Sequence, residues 1–372
     1  MGKYREILLH AGLSKTGSTS IQDNCSEQRA LLASHDVIYP GFTADDHVFR
    51  NHSIPLTVAI SAAPGAYGLG LKRRFGRRVE TITQQCRQQL EELVTAGNGG
   101  VLVLSTELVE SWRDDDLQSL RAYFMPHARR LRVLAYLRSP ESALASLVQE
   151  RAKAGVMLCP SRLVGRVKAK VERLQRNFPA ELELVSYHEA QGHCAGLVGA
   201  FMARAGVPDA VIRPLAFRHS NQRLSMEAYR LLERINRDFQ PGHQAEHGVP
   251  RRPHDLAMLA EIPGQPFQLA GFEGSELQRQ VLAESHWLES ELGWRFPHVP
   301  PAEPAPAWQA PTIAALERAL AAVREVPLRR SIAGLLREES GVLACAGRPE
   351  AELLRRLAAR IEYAGTELSG NE

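Results

Sequence analysis

Lys15 is the one cation in a run of small and hydroxyl-bearing residues, Gly12-Leu13-Ser14-Lys15-Thr16-Gly17-Ser18-Thr19-Ser20. The apolar Ile7–Leu9 precedes this run, and a segment of helical periodicity, Ile21 to Ala33, follows it. Strand, small-residue turn and helix start together predict an anion cradle: successive backbone N–H groups converge there and the helix dipole adds partial positive charge. A second anion-binding pattern is Arg138-Ser139-Pro140-Glu141-Ser142-Ala143-Leu144-Ala145-Ser146. Arg138 closes an apolar run, and Ser146 falls about two turns into the helix that Pro140 opens. An arginine at a strand end and a hydroxyl on the following helix can grip one phosphate from two sides. Two such sites on one rim suit a nucleoside that carries phosphates at both ends.

The first turn nearly fits the triphosphate-binding pattern G-x-x-x-x-G-K-[ST]. Gly12 and Gly17 are in place and Thr19 supplies a hydroxyl, but Ser18 stands where that pattern has its lysine. Lys15, inside the turn, reaches a phosphate from a different direction. The departure counts against an ATPase or GTPase and for another user of a phosphate-binding turn.

The elements that must hold these residues can be read along the chain. Val37–Tyr39, Val101–Ser105, Leu131–Leu137 and Leu182–Tyr187 are short apolar runs of the kind found in buried parallel strands. Helical periodicity separates them at Val79–Ala96, Asp114–Phe124, Glu141–Ala152 and Ser161–Asn177, and resumes at Gly196–Ala205. The alternation predicts an α/β fold, an open parallel sheet flanked by helices, with ligands beyond the carboxyl ends of the strands. Gly12–Ser20, Thr106–Glu107, Arg138–Ser146 and Tyr187–Glu189 all follow strand ends, so they are expected on one rim. Further on, Ser225 is a predicted N-cap for a helix reaching Phe239, residues 240–272 read as loop, and Ser275–Leu292 reads as an amphipathic helix. Pro297 to Pro311 is a stiff spacer, and the Ala/Leu/Arg-rich remainder reads as a C-terminal helical appendage. The expected organisation is residues 1–296, a linker over 297–311, and a helical segment over 312–372.

Bulk properties narrow the class. At 44% hydrophobic and 23% charged, the 372-residue chain has the composition of a soluble globular protein. A formal charge of +3 is too small to indicate a nucleic-acid partner. Five scattered cysteines without a C-x-x-C suit a reduced compartment and no structural zinc. The chain runs from Met1 almost directly into its first strand and holds no uncharged run of membrane-spanning length, so a soluble, cytoplasmic protein is expected.

With both anion motifs in place, the sequence resembles the sulfotransferases that use 3′-phosphoadenosine 5′-phosphosulfate (PAPS). His10 to Gln22 is similar to their 5′-phosphosulfate loop, with Lys15, Thr16, Gly17, Ser18 and Thr19 on its K-[ST]-G-[ST]-[ST] core. Arg138 and Ser146 match the family's 3′-phosphate pair in identity and spacing. Val103–Glu107, Tyr187–Glu189 and Ser220–Ser225 also look like segments of bacterial members, so the resemblance spans roughly residues 5–295. It implies a P-loop NTPase-like fold of the sulfotransferase type and in-line transfer of a sulfuryl group to an acceptor hydroxyl or amine; the expected acceptor is a hydroxyl on a carbohydrate or glycan. It also implies PAPS as donor, 3′-phosphoadenosine 5′-phosphate (PAP) as product, and no metal. Ser14 to Ser20, Arg138 and Ser146 would bind the donor, and Lys15 would neutralise charge on the departing phosphate.

Transfer to a hydroxyl needs a base, for which the family uses histidine in some branches and glutamate in others. Glu107 and His52 are the two candidates here. The sequence does not separate them; the reading leans to His52 as base with Glu107 orienting the acceptor. His10 reads as a hydrogen-bonded core histidine. The run Lys72 to Arg78 reads first as a solvated basic face and second as a site for an anionic acceptor. The tail helices are a candidate homo-oligomer surface. Two other readings stay open: a P-loop kinase-like phosphotransferase, and a nucleotide-binding scaffold that has lost its chemistry.

Overall fold

The computed structural model describes residues 3–97, 99–107, 109–155, 167–218, 223–239, 253–269, 274–296, 306–323 and 326–367. Parts of three expected elements lie outside these residues: 161–166, 240–252 with 270–273, and 297–305, as does 220–222 of the Ser220–Ser225 segment. The chain divides into two compact units. The first comprises Met1–Ala143, Gly165–Asn221 and Glu284–Arg295; the second comprises Leu144–Val164, Gln222–Ala283 and Phe296–Glu372.

The first unit is built on five parallel strands: β1 (Glu6–Ala11), β2 (Val37–Ile38), β5 (Val101–Thr106), β6 (Leu131–Leu137) and β7 (Leu182–Ser186). Their order is β2-β5-β1-β6-β7, an open parallel sheet. Every residue of β1 and β5 is buried, which explains why the runs read as continuously apolar rather than alternating. Two short strands, β3 (Phe42–Ala44) and β4 (His47–Phe49), form a separate antiparallel hairpin. It went unseen in the sequence because three-residue strands leave no measurable period.

Helices cover both faces. On one, α1 (Ser18–Glu27), α2 (Arg29–Ala33) and α10 (Gly196–Arg204) bury Ile21, Cys25, Leu32 and Phe201 against Leu8, Val103, Leu134 and Tyr136. On the other, α3 (Ser53–Ile60) packs on β5, α5 (Val79–Thr95) and α6 (Asp114–Phe124), and α6 in turn on α8 (Val167–Asn177). The remaining helices of this stretch are α4 (Leu71–Phe75), α9 (Tyr187–Gln191), α11 (Asp209–Ile212) and α7 (Pro140–Lys153), of which Leu144 onward belongs to the second unit. The expected single helix over Ile21–Ala33 is two, divided at Gln28.

The second unit is helical. α12 (Met226–Asp238) starts at Ser225, whose hydroxyl accepts the Ala228 N–H as an N-cap should. Helices Pro253–Ala260, Ala310–Ala322, Val326–Cys345 and Glu350–Glu367 follow, and Glu276–Leu292 is divided, its residues from Glu284 onward belonging to the first unit. Pro253–Ala260 corrects the reading of 240–272 as loop throughout: its apolar face is too short to register a period but buries Leu259. One hydrophobic cluster joins Leu144 and Val148 of α7, Leu231 and Ile235 of α12, and Leu316, Leu336 and Leu354 of the last three helices. The helices expected as a C-terminal appendage thus share a core with segments that precede the proline-dense spacer.

Candidate active site

The sheet places β1 at its centre, hydrogen-bonded to β5 on one side and β6 on the other. The chain leaves β1 towards β2 and β5, then crosses to β6 and β7. Loops at the carboxyl ends of β1, β5 and β6 therefore meet where the winding reverses, the usual ligand crevice of such sheets.

The turn after β1 is shaped by two glycines. A Cβ on Gly12 would stand 2.4 Å from Ser18 Oγ and 3.2 Å from the Thr106 carbonyl oxygen, so only glycine fits between α1 and β5. The Gly12 N–H donates to that same carbonyl at 2.8 Å, tying the turn to the end of β5. Gly17 is left-handed (φ 78°) and forms the N-cap of α1 without offering a side-chain oxygen to the first-turn amides. No acidic residue lies in that turn. The first-turn amides of α1 thus receive no side-chain cap from residue 17.

Lys15 is half-buried and also left-handed (φ 67°), a conformation that costs a side-chain-bearing residue about 1 kcal/mol or more. Thr16 is buried, its hydroxyl donating to the Leu13 carbonyl at 2.7 Å and closing the turn on itself. Ser18 is buried, Ser14 and Thr19 are exposed, and Ser20 is half-buried.

Arg138, just past β6, reaches this turn: its Nη1 donates to the Lys15 carbonyl oxygen at 3.1 Å. Its Nε donates to Ser142 Oγ at 2.8 Å, and the guanidinium lies 4.9 Å from the centre of the Tyr187 ring. Tyr187 follows β7, and its ring edge would be 3.7 Å from a Cβ on Gly17. The turn after β1, the arginine after β6 and the tyrosine after β7 thus converge. Ser142 sits one turn before Ser146, which is half-buried on the same helix. The Ser142 contact and the Tyr187 platform were not anticipated. Ser142 lies inside the quoted motif, but nothing in a sequence says which hydroxyl a guanidinium will choose.

His188, beside Tyr187, has its pKa lowered by desolvation and then by the Arg138 charge, which keeps it neutral in this cationic corner.

Glu107 is exposed immediately past β5, one residue beyond the carbonyl that Gly12 engages. Its N–H donates to Ser53 Oγ at 3.1 Å, fixing the loop to the start of α3. His52 is different. Its ring is wholly buried, its Nε2 lies 3.0 Å from the Pro40 carbonyl oxygen, and its Nδ1 accepts the Ser105 N–H at 2.8 Å. Burial lowers its pKa to about 4. Both ring nitrogens are occupied, which overturns the expectation of His52 as a base: it pins β5 to the segment after β2. The Arg50–Ser53 pattern gave no hint of this, because the partners are backbone groups distant in sequence. His10 is the core histidine expected, bonded through Nδ1 to Ser105 Oγ at 2.8 Å, its pKa lowered by burial to about 3.

The tryptophans divide. Trp112 and Trp308 are fully buried, while Trp287 and Trp294 are half-buried, Trp287 with Lys168 Nζ 5.8 Å from its ring centre.

No protein-family model matches the chain, and no curated protein matches its sequence. Among solved structures it is similar to a retinol dehydratase crystallised in complex with androsterone and the inactive cofactor PAP, with 10% identity and a TM-score of 0.33. That match covers 79% of this chain and 83% of the other. The likeness is distant. Among the described residues no helix is long and apolar enough to cross a membrane.

Proposed function

We propose that the chain is a PAPS-dependent sulfotransferase, and that its site takes an adenosine phosphorylated at both ends. One observation carries the reading: the Arg138 guanidinium meets the backbone of the Lys15 turn, so both anion motifs serve one crevice. The residues present fit such a donor. The uncapped start of α1 offers backbone amides to a 5′-phosphate, and Arg138 with Ser142 offers a fork and a hydroxyl to a 3′-phosphate.

The donor supplies an activated sulfuryl group; the chain supplies position and charge. The acceptor oxygen forms a new O–S bond as the bond from sulfur to the bridging phosphate oxygen breaks, and PAP departs with the negative charge. Lys15, held in the turn by its left-handed backbone, neutralises that developing charge. The acceptor proton passes to the Glu107 carboxylate, which takes the role of base now that both nitrogens of His52 are engaged. The acceptor is a hydroxyl-bearing carbohydrate or glycan in this reading.

Radiolabelled PAPS tests it directly, with PAP release measured against a panel of hydroxylated saccharides. Lys15→Ala and Glu107→Gln are each expected to lower turnover by two to four orders of magnitude, about the range for losing one transition-state partner or base. Donor affinity should change far less. Release of PAP by Glu107→Gln at the wild-type rate would remove Glu107 from the chemistry. Magnesium-dependent ATP turnover in place of PAP release would reject the sulfotransferase reading.

A further inference from the structure

The segment Lys72-Arg73-Arg74-Phe75-Gly76-Arg77-Arg78 takes no part in the site just described, yet it is held with some care. Leu71 and Phe75 are buried, and Phe75 packs against His47 and Phe49 of the β3–β4 hairpin, with ring centres 5.6 and 6.3 Å apart. The five cations between and beyond these anchors are all exposed. Arg78 pairs with Asp45 at 2.6 Å; Lys72, Arg73, Arg74 and Arg77 meet no carboxylate among the described residues. Like charges crowded into about two turns repel one another. With a formal charge of only +3 on the whole chain, this density is local and not a reflection of general basicity.

Its placement matters. The hairpin lies in the stretch between the end of β2 and the start of α3. His52 Nε2 ties the far end of that stretch back to the Pro40 carbonyl, while His52 Nδ1 accepts the Ser105 N–H and Ser53 Oγ accepts the Glu107 N–H, fastening it to the carboxyl end of β5. Through Phe75 the patch rests on this hairpin, and the residues that follow the hairpin hold the Glu107 loop.

The chemistry of the patch narrows its ligand. Its only aromatic ring, Phe75, is buried, so it has no platform on which bases could stack. Within residues 71–78 no apolar side chain is exposed, and the adjoining hairpin exposes only Val48, too little to enter a bilayer. What the patch offers is a dense set of guanidinium and ammonium groups on a backbone anchored by Leu71 and Phe75, suited to a flexible chain bearing sulfate or carboxylate groups.

We propose that Lys72, Arg73, Arg74 and Arg77 bind an anionic polysaccharide and hold it as acceptor beside the Glu107 rim. The binding surface stands on the patch itself; its role as acceptor site rests on the sulfotransferase reading.

The test uses the full chain with fluorescent dextran sulfate, uncharged dextran, single-stranded DNA and phosphatidylserine vesicles, while PAP affinity is measured separately by calorimetry. The variant K72Q/R73Q/R74Q/R77Q removes the patch. A control, R337Q/R355Q/R356Q/R360Q, removes the same charge from exposed tail positions that pair with glutamates. Wild type is expected to bind dextran sulfate at physiological salt and to ignore dextran. The patch variant should bind at least about tenfold more weakly, and the slope of log affinity against log salt should fall by roughly three, as when about four counterion-releasing contacts vanish. PAP affinity should not move.

Undiminished dextran sulfate binding by the patch variant, or an equal loss in the control, overturns the proposal. So does patch-dependent binding that is tighter for vesicles or DNA than for the polysaccharide. Dextran sulfate binding without PAP binding would reject the sulfotransferase reading and keep the surface; PAP binding without dextran sulfate binding would do the reverse.

Discussion

His52 and Glu107 show how little separates a structural group from a reactive one at the scale of a residue. Both lie at the end of β5, yet one is sealed in the core with two backbone partners and the other faces outward. Replacing His52 by Ala leaves the Ser105 N–H buried without its acceptor, which should cost about 1–3 kcal/mol. Urea titration is the measurement, and a stability unchanged from wild type would show that the ring is not holding the strand. The positions of Lys15, Arg138 and Glu107 past strand ends were legible because their spacing from apolar runs is preserved in the sequence itself. The role of His52 was not, since it depends on Pro40 and Ser105, whose backbone groups approach only after the sheet has formed.

At the scale of elements, β1 carries His10 into the sheet centre, and His52, just before α3, reaches the same point of β5. His10 bonds Ser105 Oγ, which also accepts from Gln22 Nε2 of α1, while His52 bonds the Ser105 amide. Both rings are neutral in the folded chain, with pKa values lowered from 6.5 to about 3 for His10 and about 4 for His52. Because the folded values lie below the unfolded one, the stability they contribute is fully present above pH 6.5. It is lost as pH falls from there through the folded values. Unfolding free energy should therefore drop between pH 6.5 and pH 4, by up to about 1.4 kcal/mol per pH unit for each histidine. His52→Gln should flatten part of that slope; an identical slope in the variant would place the sensitivity elsewhere. The strands were readable as elements because both faces are buried and their apolar runs are unbroken. The hairpin and Pro253–Ala260 were not, being shorter than any period they could display.

For the whole molecule, the sequence suggested a body that ends before the prolines and a tail beyond them. The second unit's core does not respect that boundary. Trp308 is fully buried, its indole N–H donating to Glu339, and the Ala307 and Trp308 amides donate to the buried carboxylate of Glu227 on α12. Glu227 also accepts the Gln265 N–H, so one carboxylate fastens three segments of chain. A chain ending at residue 296 would leave Glu227 without two donors and would expose Leu231, Ile235 and their neighbours. It is expected to be insoluble or to lose cooperative unfolding, as judged by yield and calorimetry. A truncated chain that melts like the full one would mean that the tail is dispensable after all. Proline density singles out a stretch by composition alone, and composition says nothing of which cores lie on either side.

In the proposed function one crevice grips a nucleotide by two phosphates, and calorimetry with PAP and adenosine 5′-phosphate on wild type and Arg138→Ala measures that grip. Wild type should favour PAP by at least about tenfold, the worth of roughly 1.4 kcal/mol in a charge-assisted pair, and the variant should bind the two alike. A wild-type chain indifferent to the 3′-phosphate, or a variant that still prefers PAP by the same margin, would contradict it.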